Sequence, residues 1–230
     1  MKYGFVKVAA ATPVTAVADC HRNAQSIIEL TAELTRMDAE LVLFPELCLT
    51  SCSCGDLFTQ PHFIQACDKA IASIADATAE NGAIIVFGAP VEHRNALYNC
   101  AIVMHKGEII GIVPKHWLNS QTGENRWFAS GANLLAESYA TIAGKRVPFV
   151  KNGVFSTATY SFGIEIGNES TTPSAPGAQM AIAGAQIMLN PTAACAVAGT
   201  HKSIRKSKRH RKVREKSEST MCATYSTRNT

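Results

Sequence analysis

Three runs, residues 3–11, 39–44 and 83–88, are too apolar for either face of a strand built from them to meet water. Two segments with apolar residues at helical spacing lie between them. Residues 19–36 carry Ala24, Ile27, Ile28, Leu30 and Leu34; residues 60–80 carry Phe63, Ile64, Cys67, Ile71 and Ile74. Asn81-Gly82 is a good stop for the second helix. The order β-α-β-α-β, with strands that need cover on both sides, points to an α/β fold. A hairpin follows, from residues 97–105 through a Lys106-Gly107 turn to residues 108–113. Residues 114–131 then form a long polar loop, a length that is usually either functional or disordered. Residues 159–166 read as a strand, 173–183 as a helix and 185–189 as a strand ending at Asn190-Pro191, and residues 221–225 suit one more strand.

The 230 residues are enough to bury a sizeable core, and 47% of them are hydrophobic. No apolar run approaches the ~20 residues that cross a bilayer. The first residues, Met1-Lys2-Tyr3-Gly4-Phe5-Val6-Lys7, lack the apolar stretch of a signal peptide. A cytoplasmic protein without a membrane partner is the expectation. The eight cysteines are expected as reduced thiols, because Cys67 and Cys100 fall in segments that read as buried. Cys48, Cys52 and Cys54 are close together, but no second Cys/His pair at zinc spacing follows, so no metal site is expected. The net charge of +4 is local in origin. Residues 202–216 hold nine of the 22 Lys and Arg with one Glu, and the remaining body is mildly acidic. That run reads first as a solvated helix, with a disordered basic segment and a nucleic-acid patch left open. Nucleic acid is not the expected partner, since charge runs are usually solvated faces.

Polar residues at the ends of apolar strands are where α/β sheets tend to place their chemistry. Glu46 follows Phe44-Pro45, Lys115 follows Pro114, and Glu165 lies at the end of the run 159–166. Singly, a carboxylate beside a proline is more often a turn residue than a catalyst. Together with their surroundings they carry a resemblance. Phe44-Pro45-Glu46-Leu47-Cys48-Leu49-Thr50 and Cys54-Gly55-Asp56-Leu57-Phe58 resemble the first signature of the carbon-nitrogen hydrolase (nitrilase) superfamily. More narrowly, they are similar to the N-terminal glutaminase domains of glutamine-dependent NAD synthetases. Leu97-Tyr98-Asn99-Cys100-Ala101, Gly111-Ile112-Val113-Pro114-Lys115, Glu124-Asn125-Arg126-Trp127-Phe128 and Ala185-Gln186-Ile187-Met188-Leu189-Asn190 add to it. The resemblance covers about residues 1–200 in the family's order, which sets residues 201–230 apart as a basic, divergent C-terminal segment of the same domain.

The resemblance implies an α/β fold of four layers, α-β-β-α, and a Glu-Lys-Cys triad acting on a small amide such as glutamine to release ammonia for NAD synthesis. Attack on an amide needs a nucleophile, a base to ionise it and a cation or donor for the oxyanion. Glu46 matches the base and Lys115 the oxyanion-stabilising lysine; Glu124 matches the second glutamate, which orients the lysine and the substrate, and Glu165 is a further substrate-binding candidate. The nucleophile belongs in a Glu-Ile-Cys-Glu-Asp signature, but this chain reads Glu165-Ile166-Gly167-Asn168-Glu169, so Gly167 stands where the cysteine is expected. The Leu-Trp that follows in the family is replaced by Ser170-Thr171. Cys195, Cys52 and Ser170 are the available stand-ins, each disfavoured because a displaced nucleophile loses most of its rate. The sequence stops before the last strands of such a domain and before any ATP-dependent synthetase domain, and it has no Gly-rich phosphate loop, so no cofactor is expected in this domain. Two readings of different class result: a glutamine amidohydrolase domain, or a catalytically inactive nitrilase-fold binding or assembly protein. A homo-oligomer is expected in either case, because the superfamily commonly forms oligomers.

Overall fold

The computed structural model describes residues 5–135, 137–193 and 219–225. Its elements run β1 (Val8–Ala10), α1 (Cys20–Arg36), β2 (Leu41–Leu43), α2 (Pro61–Ala77), β3 (Ile84–His93), β4 (Ala96–His105), β5 (Glu108–Pro114), β6 (Tyr139–Ile142), β7 (Lys145–Pro148), β8 (Val154–Ser156), β9 (Ser161–Ile164), α3 (Pro176–Ile182), β10 (Ile187–Ala193) and β11 (Ser219–Tyr225). A five-stranded sheet has the order β1-β2-β3-β4-β5, parallel through its first three strands and antiparallel through the hairpin β3-β4-β5. A second sheet has the order β11-β10-β9-β8, in which β10 pairs parallel with both β9 and β11. The hairpin β6-β7 forms a small separate sheet.

Period-two alternation explains why the strands had to be apolar throughout. Val42, Phe44, Ile85, Phe87 and Ile102 form one core with Ile27 of α1 and with Ile71 and Ile74 of α2. The alternate residues Leu41, Leu43, Val86 and Val103 form a second core with Phe162, Ile164, Ile166 and Leu189 of the other sheet. Met180 of α3 packs with Met188 of β10 in a third cluster. The molecule is thus a mixed α/β structure with its main cores on both faces of the five-stranded sheet. Among the described residues, no helix is long and apolar enough to cross a membrane.

Local signals fix the helix ends. The Asp19 carboxylate accepts from Arg22 N–H at 3.0 Å and caps α1. Pro61 occupies the first turn of α2, where a missing N–H costs nothing. That helix ends at Ala77, short of the expected residue 80, where Thr78 Oγ1 donates to Ile74 O at 2.8 Å. The first strand also differs from expectation. β1 covers three residues at the sheet's edge, Val8 and Ala9 are half-buried, and Phe5 is 78% exposed. The strand expected over 221–225 is present as β11. The hairpin β6-β7 and strand β8 were not foreseen; they are short, carry Lys145 and Arg146, and turn at Ala143-Gly144 with both φ angles positive, without the usual Asn-Gly or Asp-Gly signal.

One close approach positions the loop that carries Glu46. Gly88 of β3 accepts from Leu49 N and donates to Pro45 O, both at 3.2 Å. A Cβ at position 88 would lie 2.1 Å from Leu47 N and 2.7 Å from the Glu46 Cα, so only glycine lets the loop cross the strand. A Gly88→Ala substitution is therefore expected to destabilise the fold by about 2–3 kcal/mol, seen as a fall in Tm of roughly 5–10 °C, with loss of any Glu46-dependent ligand binding.

Candidate active site

Loops from the ends of β2, β5, β9 and β10 meet at one point. Glu46 follows β2 in a segment held by Gly88 and by Asn23 of α1, whose Nδ2 donates to Leu49 O at 2.9 Å. Lys115 follows Pro114 at the end of β5; its N–H donates to Asn99 O at 2.8 Å and its carbonyl accepts from Gly131 N at 2.8 Å. Glu124 opens a single helical turn after Gly123, which adopts a left-handed conformation. The three charged groups are 5%, 4% and 8% exposed in that order, so their pairing occurs away from bulk water.

Lys115 Nζ donates to Glu46 Oε1 at 2.7 Å and to Glu124 at 2.8 Å (Oε2) and 3.0 Å (Oε1). Asn99 Nδ2 bridges the same carboxylates, at 2.8 Å to Glu46 Oε1 and 2.7 Å to Glu124 Oε1. Backbone N–H groups complete the shell: Asn119 N donates to Glu124 Oε2 and Ala193 N to Glu46 Oε2, each at 2.9 Å. Burial by itself would lower the Lys115 pKa, but the adjoining Glu46 and Glu124 carboxylates outweigh it and hold the ammonium above the usual lysine range. The arrangement is a fixed cation between two carboxylates, one of which keeps an oxygen, Glu46 Oε2, turned toward the turn after β9.

Gly167 lies in that turn, buried, with φ +60°. A Cβ at this position would lie 2.9 Å from Glu46 Oε2 and 3.1 Å from Lys115 Nζ. The turn is tied to β10 by Asn190 Nδ2, which donates to Glu165 O at 2.8 Å and Gly167 O at 3.1 Å. It is braced from within by Glu169, whose Oε1 accepts from His116 N (2.5 Å) and Trp117 N (3.1 Å) and whose Oε2 accepts from Ile166 N (2.6 Å). Burial pushes the Glu169 carboxyl up from its ordinary 4.5 to about 7, against the pull of those N–H donors and Lys115.

The structure thus brings Glu46, Lys115, Glu124 and the backbone of Gly167 together. Glu165 takes a different position. Ile164 and Ile166 point into the inter-sheet core, so the intervening Glu165 faces the other way, and its Oε2 accepts from Gly177 N in α3 at 3.1 Å. Asn99, Glu169 and Asn190 belong to the site and were not among the expected site residues. Glu169 at the third position of its turn had a detectable signal, since a carboxylate there often takes the N–H at the turn's start. Cys52 packs with the cluster of Leu47, Cys54, Phe58 and Phe128, and Ser170 is half-buried within the Gly167 turn. Cys195 and residues 202–216 lie outside the described residues. Beside Glu124 in sequence, Phe128 and Trp127 meet Phe58 in tilted contacts at 4.8 Å and 6.4 Å, and Trp127 Nε1 donates to Asp56 at 2.9 Å.

Two expected outcomes follow from this geometry. Lys115→Met leaves two buried carboxylates without their cation and should cost about 3–5 kcal/mol, a Tm lower by roughly 10 °C. Adding Glu46→Gln to that variant should restore part of the loss, because the two changes are coupled through one ion pair. For Glu169, the folded state keeps a proton between pH ~4.5 and ~7 that the unfolded chain has released, so stability falls as pH rises through that window and levels off above it. Thermal melts of Glu169→Gln between pH 5 and 8 should show a shallower slope than the unmodified protein; an unchanged slope would assign the titration to another group.

The chain matches the carbon-nitrogen hydrolase family over residues 7–216. It is 31% identical over 194 residues to the glutamine-dependent NAD(+) synthetase of Mycobacterium tuberculosis, covering 82% of this chain and 28% of that protein. Against the enzyme of the same name from Aquifex aeolicus it is 30% identical over 179 residues, covering 77% of this chain and 28% of the relative. The chain therefore spans less than a third of the length of these curated relatives. Its fold superposes on the glutamine-dependent NAD+ synthetase of Acinetobacter baumannii with a TM-score of 0.75 at 22% identity, over 89% of this chain and 35% of that one. It superposes equally on an amidase from Nesterenkonia sp., with a TM-score of 0.75 at 19% identity over 96% and 76% of the two chains. With the family matched along most of its length, the chain belongs to the carbon-nitrogen hydrolase family.

Proposed function

We propose that the chain is a glutaminase-type amidohydrolase domain of the NAD-synthetase line, which retains a pocket for a small amide such as glutamine but has no turnover of its own. In this reading Glu46 is the base, Lys115 the oxyanion cation, Glu124 the residue that orients them, and position 167 the place of the nucleophile. The observation that carries it is the position of Gly167. A side chain there would leave a turn between strand and helix with φ +60° and enter the gap beside Glu46 Oε2 and Lys115 Nζ. Sharp turns of this kind expose a nucleophile at the end of a sheet, and strained backbone at such a point is characteristic of active sites. Glycine removes the nucleophile while keeping the turn, so no thioester can form at this position.

The succession of helices α1 and α2, the five-stranded sheet, the β8–β11 sheet and α3 supports the finer architecture, an α-β-β-α sandwich of four layers. The reading requires no cofactor or metal in this domain. It carries with it a cytoplasmic location and self-association into a homo-oligomer. The similarity to glutamine-dependent NAD(+) synthetases supports glutamine over other amides.

A single substitution tests the proposal. The unmodified protein should bind glutamine by calorimetry and release ammonia at least ~10⁴-fold more slowly than Gly167→Cys. The variant must accept about 1–3 kcal/mol of backbone strain and a shift of a few tenths of an ångström at Glu46 Oε2. Ammonia release by the unmodified protein that Cys52→Ala or Cys195→Ala abolishes would overturn the loss of turnover.

A further inference from the structure

A pair of thiols lies outside the site. Cys20, the first residue of α1, and Cys67, in the second turn of α2, approach with their sulfurs 3.5 Å apart. Both are buried, at 3% and 1% exposure, in the core that joins these helices to the five-stranded sheet. We propose that Cys20 and Cys67 are a peroxide-sensitive thiol pair that closes to a disulfide between α1 and α2.

The geometry is close to what the bond needs. A disulfide requires about 2.05 Å between the sulfurs, so the two atoms must approach by about 1.5 Å, within reach of side-chain rotation and a small relative movement of the helices. The two thiols also differ in character. Hydrogen bonding with Cys67 holds the Cys20 thiol below its ordinary range, while the same bond and burial hold Cys67 above it. Cys20 also opens α1, where the helix N-terminus favours a thiolate, which makes it the attacking sulfur and Cys67 the resolving one. Two other buried thiols, Cys48 and Cys54, instead meet backbone carbonyls. Cys54 donates to Thr50 O at 2.9 Å, and Cys48 donates to Gly88 O at 3.7 Å with its pKa pushed up to about 12.

The oxidant is a hydroperoxide, the simplest being hydrogen peroxide. The Cys20 thiolate attacks the O–O bond and becomes a sulfenic acid, and the departing oxygen takes up a proton to leave as water. The Cys67 sulfur then attacks the sulfenic sulfur, the S–O bond breaks, and a second water leaves with the thiol proton. Two electrons pass from the sulfurs to the peroxide, and two thiols and one peroxide become one disulfide and two waters. The link would enclose β2 and the Glu46 loop, which α1 already touches through Asn23 Nδ2 and Leu49 O. Oxidation would thus brace the part of the chain from which Glu46 extends.

The test uses the full 230-residue chain, reduced and then treated with a small excess of hydrogen peroxide, alkylated and mapped by tandem mass spectrometry without reduction. The expected result is a Cys20–Cys67 link with the loss of two hydrogens, and a Tm raised by about 5–10 °C that dithiothreitol reverses. Cys52→Ser should keep the link, and Cys20→Ala and Cys67→Ala should each lose both the link and the peroxide-induced rise in Tm. Because an alanine variant could fail to fold, the mapping of the unmodified chain stands by itself. Oxidation confined to Cys52, a link between other cysteines, or a Cys20–Cys67 link without a reversible rise in Tm would overturn the proposal.

Discussion

The ammonium of Lys115, buried between Glu46 and Glu124, is the contact on which the other loops depend. An unpaired ion in that position would cost several kcal/mol in lost hydration, and two carboxylates without a cation would repel each other. Each of the three groups is tolerable only while the other two are present. They arrive from different parts of the chain: the end of β2, the end of β5, and a turn nine residues further on. The Asn99 amide, from the middle of β4, gives both carboxylates a second donor and fixes their spacing. The ion pairs hold the loops together, and the rigid strand ends keep the ion pairs at bonding distance.

Much of this was legible in the sequence because the apolar pattern and the proline stops mark strand ends, and a charged residue at a strand end attracts attention. Glu46 and Lys115 were readable for that reason. Asn99 was not, since a single polar residue inside an apolar hairpin strand gives no sign of what faces it; only its alignment with Ala101 and Val103 on the inter-sheet face of β4 directs it toward the site. Glu165 was placed with the site because it is a carboxylate at the end of an apolar run, although the alternation of Ile164 and Ile166 turns it toward α3. The hairpin β6-β7 was missed because its turn has no diagnostic dipeptide, its strands are four residues each and half of β7 is charged.

The turn that bears Gly167 keeps its supports although its tip carries no side chain. Glu169 gathers three backbone N–H groups, and Asn190 holds two carbonyls. A glycine at φ +60° would tolerate a looser frame, because it has no Cβ to strain. The frame is nevertheless specific, and it orients the turn toward Glu46 Oε2. Glu169, held near neutrality by burial, makes this the part of the site whose hydrogen bonding responds to mild changes in acidity.

The chain's two tryptophans, Trp117 and Trp127, both lie on the loop between β5 and β6 that also carries Lys115 and Glu124. Trp117 is half-exposed next to the Glu169 brace, whereas Trp127 is held by Asp56 and by a tilted contact with Phe58. No indole sits in either sheet core, so the tryptophan emission of the folded protein originates from this loop alone. Its colour and intensity therefore report the state of the loop directly, without an added label.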